Sequence, residues 1–325
     1  MTIRTSPWRA AVAAVLTAAS GAVLVPAVAQ AAAPQVKTQA PGFYRMMLGD
    51  FEITALSDGT VDLPMDKLLT NIKPGALDKA LAHAHMKTPV ESSTNAFLIN
   101  TGSKLVLVDT GAGNLFGPTL GKLMANLKAA GYQPEQIDEV LITHLHPDHE
   151  GGLMAGDKLA FPNATLHVAK ADVDFWLSAD NMKKAPAEAQ AFFQQAMAML
   201  PPWQKANKVK TFEADTEFVP GIKSMATPGH TPGHSVYVVE SKGQKLMLWG
   251  DLMHLAAVQF ADPSVTIQFD VDAKSAAAQR KKAYADAAKQ GYWVAAAHLP
   301  FPGIGHVSVE GKGYGWIPAN YSTQF

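Results

Sequence analysis

The chain has 325 residues, of which 48% are hydrophobic, so it can bury a large core, and wholesale disorder is excluded. Its 27 Lys and Arg are balanced by 28 Asp and Glu, so the basic excess typical of nucleic-acid-binding proteins is missing. It has no cysteine, which excludes disulfides, thiol nucleophiles and thiolate ligands, so any metal ion must bind to His, Asp or Glu.

The first 31 residues have the pattern of a secretory signal peptide. Arg4 and Arg9 precede an apolar run of small residues over 10–25, and small-x-small cleavage sites follow it. Because the run is short and interrupted, we expect cleavage rather than a stable membrane anchor. The mature protein is therefore expected to be exported, periplasmic or secreted, with a leader over 32–42 and one domain over 43–325.

Strands and helices are predicted along the whole mature chain. Apolar runs and period-two alternation predict strands at Phe51–Leu56, Asn95–Ile99, Leu105–Val108, Ile137–Ile142, Ser235–Glu240, Lys245–Trp249 and Tyr292–Ala297. Turns are predicted at Ser57-Asp58-Gly59 and at Asn100–Ser103. Helical patterns cover Leu120–Ala130, Val173–Ser178, Ala187–Leu200 and Ala273–Gln290, with Pro201-Pro202 expected to end the third helix. Two strand-rich halves with helices predict an α/β fold of two packed β-sheets with helices outside.

The segment from Thr143 to Gly152 reads THLHPDHEGG and carries the strongest chemical signal. His144 and His146 are two residues apart, so in an extended loop they point the same way and can share one metal ion. Asp148 and His149 can face a second ion. Pro147 is expected to keep the segment from forming a continuous helix, which makes it a loop at a strand end. A chance H-x-H-x-D-H is expected in about one chain in a thousand with this His and Asp content.

Further candidate ligands follow later predicted strands. They are His230 in TPGHTPGH, Asp251 in WGD and His298 in AH. With the first motif they give five His and two Asp, enough for two metal ions with open positions. Nitrogen and oxygen ligands of this kind suit zinc, which we favour, or manganese, iron or cobalt.

These motifs resemble, in order and spacing, those of the metallo-β-lactamase superfamily, and within it the exported methyl parathion hydrolase and lactonase branch. The resemblance implies an αβ/βα sandwich with a two-metal site at one edge of its sheets. It implies one metal ion held by His144, His146 and His230, and a second held by Asp148, His149 and His298. It also implies that Asp251 bridges the two ions, with Asp148 and Asp251 as the catalytic carboxylates.

Two further residues are expected to support the ligands. Asp109 follows a predicted strand and resembles the superfamily's structural Asp, which orients the His loop through hydrogen bonds to ligand side chains. A plain turn is the alternative for Asp109. His234 is expected to hydrogen-bond within its own turn rather than to bind a metal ion.

A substrate pocket is expected beside the metal site. Aromatic residues that resemble the pocket positions of the similar hydrolases are Phe116, Trp176, Phe192 and Phe193, with ordinary core packing as an equal alternative. His254, three residues after Asp251, is expected near the site, where a hydrogen-bond donor suits an ester or lactone oxygen. Exposure of His254 to solvent is the alternative.

The sequence therefore predicts a metal-dependent hydrolase. A water shared by two cations is acidified and attacks as hydroxide, while a metal ion polarises the substrate oxygen. The expected substrate is a small apolar lactone, with secondary activity on phosphotriesters. Alternatives are an organophosphate hydrolase and a non-catalytic periplasmic metal-binding protein, while β-lactamase, thioesterase and ribonuclease activities are disfavoured. The sequence leaves the oligomeric state open, with a homodimer among the alternatives.

Overall fold

Two seven-stranded β-sheets form the framework of the protein in a computed structural model that describes residues 33–323. The predicted signal peptide lies outside the described residues and stays a prediction. Residues 33–42 contain no regular element, and the first strand begins at Phe43. From Gln39 onward the chain belongs to one compact unit.

Strands and α-helices are interspersed along the described residues. The strands are β1 (Phe43–Leu48), β2 (Phe51–Leu63), β3 (Leu69–Thr70), β4 (Val90–Asn100), β5 (Leu105–Val108), β6 (Glu139–Leu141), β7 (Met154–Ala155), β8 (Lys158–Leu159), β9 (Thr165–Ala169), β10 (Val209–Phe212), β11 (Glu217–Val219), β12 (Ile222–Ala226), β13 (Ser235–Ser241), β14 (Gln244–Leu248), β15 (Thr266–Ile267), β16 (Trp293–Ala295), β17 (Ile304–Glu310) and β18 (Gly313–Pro318). The helices are α1 (Met65–Leu68), α2 (Ala76–His83), α3 (Leu123–Ala129), α4 (Pro147–Glu150), α5 (Lys170–Trp176), α6 (Ala179–Lys184), α7 (Ala187–Lys205), α8 (Ala256–Gln259) and α9 (Ala273–Gln290).

Each sheet combines antiparallel and parallel pairs. The first has the order β1-β2-β4-β5-β6-β9-β10, and the second has the order β11-β12-β13-β14-β16-β17-β18. Strands β5, β6, β9 and β10 are parallel neighbours, and so are β14 and β16. Parallel neighbours end at the same edge of a sheet, so the loops after β6, β14 and β16 can supply one site.

The core lies between the sheets and under the helices. Val106 of the first sheet and Tyr237 of the second belong to one buried cluster, which fills the space between the sheets. Leu107 instead packs with Leu127 of α3 and Phe193 of α7 on the outer face. Because successive strand residues point to opposite faces, β5 with the sequence LVLV buries both faces. This arrangement confirms the predicted αβ/βα sandwich.

Three local predictions were wrong, one of them only in part. The predicted turn at Ser57–Gly59 is a bulge inside β2, where the pairing with β4 shifts register. The segment at Pro147 is not a continuous helix, as predicted, but only its first part is a loop, because Pro147 begins the four-residue helix α4, a position at which proline needs no helical N–H bond. Pro201 and Pro202 lie inside α7 and do not end it.

Helix α7 continues through its prolines because its last turns are held by packing. Leu200 and Trp203 on both sides of the proline pair are fully buried, and the Trp203 indole donates a hydrogen bond to the Leu153 carbonyl, 3.1 Å away. This burial outweighs the missing N–H donors. Within the described chain, no helix has both the length and the hydrophobicity of a membrane span.

Candidate metal centre

The predicted ligands come from separate strand ends and meet in one place. They are His144 and His146 after β6, Asp148 and His149 in α4, His230 after β12, Asp251 after β14 and His298 after β16. All are buried except Asp148, which is partly exposed. The site therefore joins loops of both sheets, as expected for residues that follow parallel and neighbouring strands.

Asp251 lies at the centre of the cluster. Its Oδ2 is 3.2 Å from His230 Nε2 and 3.6 Å from His144 Nε2. Its Oδ1 is 3.1 Å from His149 Nε2. His298 Nε2 is 3.1 Å from both carboxylate oxygens. One carboxylate thus faces imidazoles from both predicted ligand sets.

The donor atoms form two groups that each suit one metal ion. The donors in each group lie within 4.8 Å of one another. The first group consists of His144, His146, His230 and Asp251, and the second consists of Asp148, His149 and His298. In the part of the chain that the structure describes, His144 Nε2, His149 Nε2 and Asp251 Oδ1 are buried without a hydrogen-bond partner. Buried polar atoms are normally paired, and divalent cations would supply the missing partners. The residues present therefore fit two divalent metal ions.

Hydrogen bonds hold the outer ring nitrogens of His149 and His298. His149 Nδ1 is 2.9 Å from Asp109 Oδ2, and Asp109 also accepts bonds from the backbone N–H and the hydroxyl of Thr143. His298 Nδ1 donates to the Ser93 carbonyl at 2.8 Å. Such bonds fix the tautomer and the orientation of a ligand ring. Asp109 thus lies where an orienting residue is expected.

His234 is occupied by hydrogen bonds on both nitrogens. Its Nδ1 is 2.8 Å from Thr227 Oγ1, and its Nε2 accepts the backbone N–H of Asp251 at 3.0 Å. His234 therefore has no nitrogen left for a metal ion, and it holds the backbone of the central carboxylate.

Two buried carboxylates that support the site had no recognisable sequence motif. Asp270 Oδ1 is 2.8 Å from His230 Nδ1, across a separation of 40 residues. Asp172 accepts bonds from the Leu145 N–H, the Thr231 hydroxyl and the Gly233 N–H, so it joins the loops of both sheets. Nothing in the spacing of these residues would have distinguished them from other aspartates.

The charges in the cluster shift its pKa values in opposite directions. Burial by itself raises the pKa of Asp251, but the imidazoles of His149 and His298 outweigh burial and bring the pKa well below its usual range. Burial lowers the pKa of His230, but hydrogen bonds and charge attraction from Asp251 and Asp270 outweigh burial and raise it to about 9. Without metal ions, protons therefore occupy part of the cluster, and metal binding must displace them.

An apolar cavity of about 270 Å³ opens beside the cluster. Its lining includes Phe116, Phe192 and His254, together with Asp148, Asp251 and His298. Trp176 and Phe193, which were also predicted for the pocket, are buried in the core and do not line this cavity. They line an adjacent cavity of about 360 Å³ that shares Phe192 and His146 with the first.

The fold and the donor set together define the class of protein. The sequence-family model of the metallo-beta-lactamase superfamily matches residues 89–313, and the chain belongs to this superfamily. Its solved relatives include a hydrolase described as AbOPH of the beta lactamase superfamily. The two are 40% identical, with 88% of this chain and 100% of that one covered and a TM-score of 0.83.

Lactonases are also among the similar proteins. AidC, described as a dizinc quorum-quenching lactonase, is 29% identical, with 87% of this chain and 99% of AidC covered and a TM-score of 0.81. An N-acyl homoserine lactonase of Bacillus cereus is 28% identical over an alignment of 171 residues, and the match covers 47% of this chain. This match spans 60% of that lactonase's length.

Replacing Asp270 with Asn is expected to weaken metal binding by about 10- to 100-fold, because His230 then loses the anionic partner that fixes its ring. Competition with a chromogenic chelator measures the affinity. Asp262→Asn, at an exposed aspartate nearby, is the matched control. Equal metal affinity in the Asp270 variant and the wild type would show that Asp270 does not support the site.

Proposed function

We propose that the protein hydrolyses lactones, in particular N-acyl homoserine lactones, at a centre of two divalent metal ions. The observation that carries the proposal is the position of Asp251, which faces both donor groups at the wall of an apolar cavity. The similarity to AidC and to N-acyl homoserine lactonases supports the choice of substrate.

Each part of the site has a defined task in this reaction. Two divalent ions, when bound, acidify water and polarise a carbonyl oxygen. Asp251 supplies one negative charge that faces both donor groups, which offsets the repulsion between two cations. Asp109 and Asp270 hold the rings of His149 and His230, so little reorganisation is needed when substrate binds.

The cavity suits the acyl part of such a substrate. Apolar side chains that line it are Val61, Leu63, Phe116, Leu120, Phe192 and Phe269. Its polar groups are confined to the metal side and to Glu188. A substrate with a polar ester ring and an apolar chain can therefore place the ring beside the metal-binding residues and the chain along the aromatic side chains.

A phosphotriester is the alternative substrate, because the same apolar wall suits an aryl leaving group and metal ions polarise a phosphoryl oxygen equally well. We propose this as a secondary activity. We keep zinc as the proposed metal, since it suits donor sets of His and carboxylate oxygen.

A substrate panel tests the proposal. The metal-loaded protein should hydrolyse N-hexanoyl homoserine lactone or dihydrocoumarin with a kcat/KM at least about tenfold above that for methyl parathion. A higher value for methyl parathion would identify an organophosphate hydrolase. No turnover of any substrate, with two metal ions bound, would favour a metal-binding protein.

A further inference from the structure

His254 lies in the loop after β14 and is fixed at the edge of the metal cluster. The Gln259 side-chain carbonyl accepts hydrogen bonds from the backbone N–H groups of His254, at 2.7 Å, and Leu255, at 3.1 Å. The Gln259 amide in turn donates to the Val265 carbonyl. His254 is 3% exposed, which excludes the expected alternative of a solvent-exposed histidine.

The imidazole of His254 is as close to Asp251 as the predicted ligands are. Its Nε2 is 3.1 Å from Asp251 Oδ2, against 3.2 Å for His230 Nε2. Its ring stacks on that of His298 with centroids 5.1 Å apart, and it lies 4.9 Å from the ring of His230. Donor atoms of Asp251, His254 and His298 all lie within 4.8 Å of one another, as those of the two ligand groups do.

The nitrogens of His254 also lack the hydrogen bonds that occupy histidines elsewhere in the fold. Within the described residues neither Nδ1 nor Nε2 of His254 has a partner of hydrogen-bond geometry, although the ring is buried. His167 bonds Glu139 and His306 bonds the Tyr292 carbonyl, so these rings are satisfied without a metal ion. Nε2 of His254 shares its unpaired, buried state with Nε2 of His144 and His149.

We propose that His254 is an additional metal ligand, binding through Nε2 beside Asp251 and His298. Burying an imidazole nitrogen without a partner costs free energy, and a divalent cation bound in this cluster would be a partner for it. The proposal rests on the two-metal centre of the proposed function. It raises the number of histidine ligands shared by the two ions from five to six.

Cobalt spectroscopy tests this assignment because the visible bands of Co²⁺ report the number and type of its ligands. We expect His254→Leu to keep two Co²⁺ per chain on the remaining ligands while its visible spectrum differs from that of the wild type. The matched control is His306→Leu, which removes an imidazole outside the cluster and should leave the spectrum unchanged. A spectrum of fully loaded His254→Leu that superimposes on the wild-type spectrum would overturn the proposal.

A second measurement needs no variant. X-ray absorption of the wild-type zinc protein counts imidazoles by their multiple scattering, and the fit should require six histidine ligands for two ions. A fit that requires five would overturn the assignment even if His254→Leu fails to fold. Neither measurement uses lactone turnover, so failure of the proposed substrate and failure of this ligand are distinguishable.

Discussion

Replacing Asp251 with alanine is expected to lower kcat/KM for the lactone by about 10³-fold or more, equal to roughly 4 kcal/mol of transition-state stabilisation. Asp251 faces both donor groups, with imidazole nitrogens of His149, His230 and His298 at 3.1 to 3.2 Å. Without its charge, two divalent cations held by these neighbouring donor groups would repel each other with less compensation, so one ion is expected to be lost. The loss should therefore affect both kcat and metal content.

Steady-state kinetics and elemental analysis of the same sample measure the two effects together. Asp251→Asn keeps the side-chain shape and removes the charge, so it separates packing from electrostatics. Asp78→Ala, at an exposed aspartate in the first turn of α2, should behave as the wild type. Retention of two ions and near-normal turnover in Asp251→Ala would show that Asp251 does not bridge the centre.

Chelation of the metal ions is expected to abolish turnover and to lower the melting temperature by at least about 8 °C. One site filled at a thousand times its dissociation constant contributes about 4 kcal/mol, and each kcal/mol shifts the melting temperature of a large domain by roughly 2 °C or more. The physical cause is the set of buried donors, including His144 Nε2 and Asp251 Oδ1, that the described chain leaves without partners.

Scanning calorimetry before and after chelation, and again after zinc is restored, measures this effect. Metal uptake by the chelated protein should be weaker at pH 6 than at pH 9. Burial lowers the pKa of His230, but the effect of Asp251 and Asp270 is larger and raises that pKa to about 9. Below that pH the imidazole of His230 must therefore lose a proton before it can bind a metal ion. Unchanged activity and melting temperature in protein shown to be metal-free would contradict the two-metal mechanism.

Much of the fold followed from local sequence patterns. The apolar run Leu105–Val108 was correctly predicted as a strand, because both of its faces are buried, each against a different layer of the core. The predictions failed where tertiary packing outweighs local preference. Packing of the buried Trp203 stabilises the end of α7 beyond its two prolines. In β2, a shift in register occurs where a turn was predicted.

The sequence by itself determined which residues are candidate metal ligands, since H-x-H-x-D-H brings two imidazoles, a carboxylate and a third imidazole into one short segment. Only the tertiary structure decided which distant residues support these ligands through hydrogen bonds. Asp270 reaches His230 across 40 residues, and His298 reaches the Ser93 carbonyl across 205. The tertiary structure also placed Phe116 at the cavity beside the metal cluster and Trp176 and Phe193 at the adjacent cavity, with Phe192 lining both. Local spacing fixes the direction of neighbouring side chains, whereas contacts across such separations depend on how the two sheets pack.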